Sequence, residues 1–295
     1  MDADASTWTY LAGLNRWALY ALMLLGAGSA VFVVLTPMPA RIAAIAMRAV
    51  RAFAPLTAVS FIIAVGLGGA EIMTGTVDIL WSPDTWSMGA STSLGKSSAL
   101  GVPAMALLWA GAFFGRKPFL VAGATGGILS FLLTGHAATA EPAWLMAPAV
   151  ALHLLGAAYW LGALAPLHGG TRDIDPGAAG ALITAFSVRA LWLVFAIVVS
   201  GIVISWVQLA TPAAIATSTY GVRLAVKLAL FAGLIVLAAY NKLVLTPRIV
   251  AGESEAFDGL RKIIRVEFVL ILLVIGAAAS LTLTEPPRTQ QSHTR

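Results

Sequence analysis

Residues 186–209 read FSVRALWLVFAIVVSGIVISWVQL, and Arg189 is the one charged side chain among them. A helix that crosses the hydrocarbon core of a bilayer needs about 20 mostly apolar residues. This run is long enough. It is continuous rather than alternating, so it reads as a spanning helix and not as a strand of a membrane barrel. Seven other runs share its character, at 14–35, 54–73, 97–114, 119–134, 144–167, 222–245 and 266–283. The run at 119–134 is short and glycine-rich. The expected fold is an all-α polytopic membrane protein with about eight transmembrane helices.

Composition agrees with that reading. Of 295 residues, 59% are hydrophobic and 11% charged, with a mean hydropathy of +0.90. A soluble domain carries roughly a quarter charged residues, and one charge at the bilayer centre costs about 2.5–3.5 kcal/mol. The lipid bilayer is therefore the expected solvent. The pI of 9.8 does not point to nucleic acid, because the basic residues lie between apolar runs instead of forming one patch. There is no cysteine, which excludes disulfides, thiolate metal sites and cysteine catalysis. The opening MDADASTWTY lacks a basic segment, so no cleaved signal peptide is expected. No phosphate-binding loop or phosphorylated-aspartate pattern is present, so ATP-driven pumping is not expected, and no enzymatic activity is expected unless the chain is a haem redox protein.

Orientation follows from the basic residues. Arg41, Arg48, Arg51, Arg116, Lys117, Arg172, Arg189, Lys242, Arg248, Arg261, Lys262 and Arg265 fall on one side of the alternating runs. Arg16, Lys96, Arg223, Arg288 and Arg295 fall on the other, and Lys227 lies within a run. The richer side is cytoplasmic, which places both termini outside the cytoplasm. Residues 1–135 and 136–284 each hold four runs, and 285–295 is expected to be a disordered tail. The connection at 246–265 mixes acids and bases and is expected to form a short surface helix. Trp8, Trp81, Trp86 and Trp144 fall at outer boundaries, as interfacial belts do. The pairs Gly111/Gly115 and Gly123/Gly127 have the spacing that lets helix backbones approach.

His153 lies about nine residues into the run that begins at Trp144, roughly 13 Å deep at 1.5 Å per residue. Met146 precedes it by seven residues and Trp160 follows it by seven, so the three are expected on one face. A histidine in such a place can be a packing residue bonded to a backbone carbonyl. In lipid, an ionisable side chain is first a functional candidate. His136 ends the preceding run, and a short connection would make the two runs antiparallel neighbours. Glu71 and Met73 close the second run on the same outer side, and Met105 lies in the third. Imidazole, thioether and carboxylate together suit copper, as Cu(I) or Cu(II), although a methionine taken singly is more often a gap-filler. Lys227 could snorkel to the interface or pair with Glu71. Glu267 is expected to pair with Arg265.

TGHAA, HLLGAAYWLGALAPL, FSVRALW, SGIVISWVQL, TYGVRLAVKLAL, YNKLVLTPRI and RVEFVLILLVIGAAASLTLTEPP follow one another from about Leu132 to Pro287. In order and spacing they resemble the CopD family of copper-resistance membrane proteins. The resemblance implies copper movement from the periplasm across a bacterial inner membrane, often beside a periplasmic copper-binding partner, CopC. No CopC-like domain is fused here, so such a donor is expected to be a separate chain. The resemblance implies roles for His136 of GHA, for His153, Trp160 and Gly162 of the HLL stretch, and for Tyr220, Gly221 and Lys227 of YGxxLxxKL. It does the same for Asn241, Pro247 and Glu267. Ile249 stands where leucine is usual, a neutral change.

The expected site is His136, His153, Met146, Glu71 and Met73 as copper ligands, with Trp160, Lys227, Tyr220, Met105 and Glu267 along the path. Binding is expected to weaken below about pH 6, near the ordinary histidine pKa, because a metal ligand must be deprotonated. Two other functions fit the same residues. One is a b-type haem electron-transfer protein with His136 and His153 as axial ligands, against which their predicted depths differ. The other is a dock for copper chaperones or oxidase assembly, with Asp78 and Asp84 on the contact surface.

Overall fold

A computed structural model of the chain describes residues 3–73, 77–135, 140–171, 175–209 and 211–288. The helices are α1 (Ala3–Leu35), α2 (Ala40–Met73), α3 (Pro83–Ser91), α4 (Ser93–Phe114), α5 (Lys117–Ser130) and α6 (Ala143–Gly170). They continue with α7 (Pro176–Leu209), α8 (Ala214–Thr217), α9 (Thr219–Tyr240), α10 (Thr246–Val250) and α11 (Ser254–Leu281). Among the described residues there is no strand. Among the described residues seven helical stretches are long and apolar enough to cross a membrane, and α5 extends through a 3₁₀ turn at Phe131–Leu133 into a shorter apolar helix. The protein is thus an all-α polytopic membrane protein. The glycine-rich fourth run is a real helix, but the shortest of the eight.

The first helix is the hub. It packs on α2, α5, α6 and α11, and 67% of its most apolar window is buried, against 11% for the stretch that contains α9. Its sequence explains this, because Gly26-Ala27-Gly28-Ser29-Ala30 presents almost no side chain to its neighbours. A Cβ on Gly28 would run into the backbone of Ala158, and one on Gly162 into the backbone of Gly28. Small residues therefore let α1 and α6 cross at backbone contact, as they do where lipid supplies no hydrophobic drive between helices. Ser29 seals the crossing by donating to the Gly162 carbonyl at 3.3 Å. Below it, Thr36 and Tyr159 share a hydrogen bond of 2.8 Å, and Phe32, Tyr159 and Phe186 pack ring against ring.

The α4–α5 pair uses the same physics. Gly123 lies against the backbone of α4 at Ala104 and Leu108, and Gly111 against Leu120. Gly115 has a different task from the one its spacing suggested. It ends α4 in the left-handed conformation, φ 65°, with its N–H on the Gly111 carbonyl, and nothing lies within 4 Å of where its Cβ would be.

On the side to which the sequence assigns the periplasm, a 3₁₀ turn at Val77–Trp81 and α3 fold back on the end of α2. Thr85 donates to the Ile79 carbonyl at 2.8 Å and Trp86 to that of Leu80 at 2.8 Å. Trp8 is 2% exposed in this cap, packed with Leu67 and Ala70. It is a core residue rather than part of an interfacial belt, unlike the exposed Trp81 and Trp144.

At the opposite end the connection at 246–265 is not one separate surface helix. α10 is a single turn, Gly252 reverses the chain at φ 84°, and residues from Ser254 onward already belong to α11. The first residues of the expected tail are packed: Pro286 and Pro287 are buried, and Arg288 donates to the Val207 carbonyl at 3.3 Å.

Candidate functional site

Helices α6, α7, α9 and α11 line a partly open cavity of about 520 Å³. Its roof is the connection from α7 to α9, with Leu209, Pro212, Ile215 and Tyr220. Its floor includes Trp160, Leu234 and Ile271. Ile202 and Trp206 line it as well and are exposed on the flank of α7. Most of the wall is aliphatic, so its few polar groups stand out: His153, Lys227, Tyr220, Ser205 and Thr211.

His153 is aimed by α7. Its Nδ1 lies 3.1 Å from the Ile197 carbonyl and 3.2 Å from Ser200 Oγ. The Ser200 hydroxyl is itself donated to the Ala196 carbonyl at 2.6 Å. Both of these oxygens are therefore acceptors for the ring, so Nδ1 carries the hydrogen. In the neutral imidazole the lone pair is then on Nε2, on a side chain that lines the cavity. Gly201 lies beside the ring, and a Cβ there would meet it at an ordinary contact distance of 3.5 Å. Metal-ligating histidines are commonly oriented this way, with one ring N–H on a backbone carbonyl and the other nitrogen presented to the ion.

The residues named from sequence separate into two groups. His153, Trp160, Tyr220 and Lys227 meet at the cavity although they come from α6 and α9. Met146 is fully buried, and the cavity is lined without it. Met105 is buried between α4 and α5, where a Cβ on Gly127 would approach its terminal methyl at 2.7 Å. Met73 accepts a hydrogen bond from Thr85 at 3.5 Å in the outer cap, and Glu71 is exposed at the end of α2. His136 lies outside the described residues. The fourth and fifth runs are not close neighbours: α5 packs on α4 and α1, whereas α6 packs on α1 and α7 and meets α5 only marginally. His153 accordingly faces α7. Among the described residues no three His, Asp or Glu side chains gather into a metal-binding group.

Neither the Lys227–Glu71 pair that the sequence allowed beside snorkelling nor the expected Glu267–Arg265 pair forms among the described residues. Lys227 has no hydrogen bond or ion pair among the described residues but lies within electrostatic range of His153. Glu267 is 3% exposed and turns inward, while Arg265, two residues away on the helix, is exposed. The Glu267 carboxyl instead accepts from Asn241 Nδ2 at 2.8 Å. Sequence reading missed Ser200, whose only signal was a hydroxyl in the middle of an apolar run. No sequence signal could have named the Ile197 carbonyl, because it is backbone.

Two family models match the chain. Residues 5–145 match "Copper resistance protein D-like, N-terminal domain", and residues 180–281 match "Copper resistance protein D". No curated protein and no solved structure matches it.

Proposed function

Because the chain belongs to the CopD family of copper resistance proteins, we propose that it moves copper from the periplasm across the inner membrane through the cavity between α6, α7, α9 and α11. The observation that carries this reading is the His153 ring. Its Nδ1–H is engaged by α7, and its Nε2 lone pair is left on the cavity wall. Copper is the substrate. The absence of cysteine thiolates suits moderate, exchangeable binding, which transit requires. His136 follows the end of α5, and a place at the outer mouth would make it the first imidazole that copper meets. Tyr220 and Lys227 shape the polarity of the upper cavity. A separate CopC-like protein is the fitting donor, received on the outer cap that carries Asp78 and Asp84. The test is copper uptake into sealed vesicles by the wild type and by His153→Ala, and equal uptake by the two overturns the reading.

One observation favours a second reading. A mostly apolar cavity of about 520 Å³ with one inward imidazole could take a b-type haem, with His153 as an axial ligand. A Soret band in the purified protein decides for haem. A colourless protein that binds copper decides against it.

A further inference from the structure

α9 turns one face to the cavity, with Lys227 and Phe231, and another to a second recess. This is an open groove of about 630 Å³ between α9 and α11. Val226 and Leu230 line it from α9 and Leu273 and Gly276 from α11. Trp17 of α1 completes it, held by its indole N–H on the Leu272 carbonyl at 3.0 Å. Gly276 leaves the Trp17 ring open to the groove, since a Cβ there would rest on it at 3.6 Å. Val226 is 53% exposed and Leu273 52%, so in a bilayer the groove faces lipid. Leu230 follows Arg223 by seven residues, which makes the groove about 10 Å long at 1.5 Å per residue. One leaflet contributes roughly 15 Å to the 30 Å hydrocarbon core, so the groove runs through much of its depth.

Its outer end is charged. Arg223 lines it there and donates to the Ser280 carbonyl at 2.6 Å. Arg16 of α1 donates to the hydroxyl of Thr282, two residues further on, at 2.6 Å, and that hydroxyl is itself donated to the Ala279 carbonyl at 2.7 Å. Arg16 and Arg223 are two of the five basic residues on the side poor in lysine and arginine, so the rule that orients the chain does not account for them. Both acceptors are neutral, and neither guanidinium meets a carboxylate among the described residues. The end of α11 offers them a helix dipole equivalent to about −0.5 charge, against two full positive charges. About +1.5 therefore remains at the mouth of the groove. Each guanidinium has five N–H donors and spends one of them on α11.

We propose that this groove binds one anionic phospholipid, its phosphodiester held by Arg16 and Arg223 and one acyl chain laid between α9 and α11 over Trp17. The single negative charge of a phosphodiester neutralises most of the excess, and the arginine fork matches phosphate oxygens in pairs. The depth fits as well. α9 begins at Thr219 and α11 ends at Leu281, so the two arginines stand where those helices leave the hydrocarbon, at the level of the headgroups. The apolar wall below them takes the chain. A lipid in this place braces α9 against α11 and α1, and α9 belongs to a stretch of which only 11% is buried by the protein itself.

Full-length protein stripped of lipid in detergent and followed by native mass spectrometry tests the site. Phosphatidylglycerol is expected to bind about 10–30-fold more tightly than phosphatidylcholine with the same chains, the worth of two arginines near a headgroup. Arg16→Gln combined with Arg223→Gln should erase that preference, and the corresponding pair of lysine substitutions should keep part of it. Glycerol 3-phosphate, which has the phosphate but no chain, should bind at least about tenfold more weakly than the lipid. Equal binding of the two lipids, a preference that survives both glutamines, or glycerol 3-phosphate bound as tightly as the lipid overturns the proposal. Should the glutamine variant fail to fold, the wild type decides alone. Phosphatidylglycerol with a photoreactive acyl chain should label residues 226–230 or 272–277, and labelling confined to other helices overturns the site.

Discussion

One imidazole decides whether the copper reading holds. Burying a ring nitrogen in an apolar wall without a partner is costly, and His153 avoids that at Nδ1 through the Ile197 carbonyl. Nothing comparable engages Nε2 among the described residues, which is why the ring reads as a ligand and not only as packing. His153→Ala should therefore lower copper affinity by at least about 10–100-fold, the range that even outer partners of metal ligands command. Competition with a chromogenic chelator measures it. Ser200→Ala should have little effect, about 0.5–1.5 kcal/mol at most, since the Ile197 carbonyl still holds the ring. Titration calorimetry with copper would register the difference, and a Ser200→Ala loss as large as that of His153→Ala would mean that the hydroxyl, not the backbone, aims the ring. His153 was legible in the sequence as an ionisable group deep in an apolar run. Its hydrogen-bond acceptor was not, because a backbone carbonyl has no letter of its own.

At the scale of elements, glycine acts in two ways that one spacing rule cannot tell apart. Gly28 and Gly162 permit backbone contact between α1 and α6, so any side chain there forces the helices apart. Gly162→Leu should cost at least about 1–3 kcal/mol, the usual penalty for overpacking, read as a lower unfolding midpoint in detergent. Gly115 contributes only its left-handed φ. With open space around it, Gly115→Ala should cost about 1–2 kcal/mol from backbone strain alone, and enlarging alanine to leucine should add little. If leucine proved much worse than alanine, Gly115 would be an interface residue after all, as its Gly-x-x-x-Gly spacing suggested. The eight helices themselves were readable from run length. The turn chemistry at Gly115 and the folded outer cap were not, because they depend on what packs beside them.

For the whole molecule, the distribution of lysine and arginine makes a claim that chemical labelling can test directly. The chain has no cysteine, so single introduced thiols report without background. Asp84→Cys in α3 should react with an impermeant maleimide from the periplasmic side, and Lys262→Cys in the first turns of α11 only after the membrane is opened. The reverse pattern would invert the assigned orientation, and with it the direction from which copper reaches His153. The same view explains where the cavity lies. α1 gathers α2, α5, α6 and α11 into a tightly packed body, while α7 and α9 stand at its edge with most of their surface facing outward. The space between those less supported helices is the cavity.

Sequence by itself determined the solvent and the order of the long apolar helices, because each depends on local composition: long apolar runs, few charges, and basic residues between the runs. It also named His153 and Lys227 as ionisable residues inside apolar runs, and the family resemblance added Trp160, Tyr220 and Glu267. Tertiary structure alone decided which of them meet. The separation of Met146 and Met105 from the cavity, the turn of His153 toward α7 and the choice of Asn241 over Arg265 by Glu267 are all matters of helix rotation. Rotation depends on contacts between helices, such as those of α1 with α6 at Gly28, Ala158 and Gly162 and of α4 with α5 at Gly111 and Gly123, and no periodicity within a single apolar run encodes it.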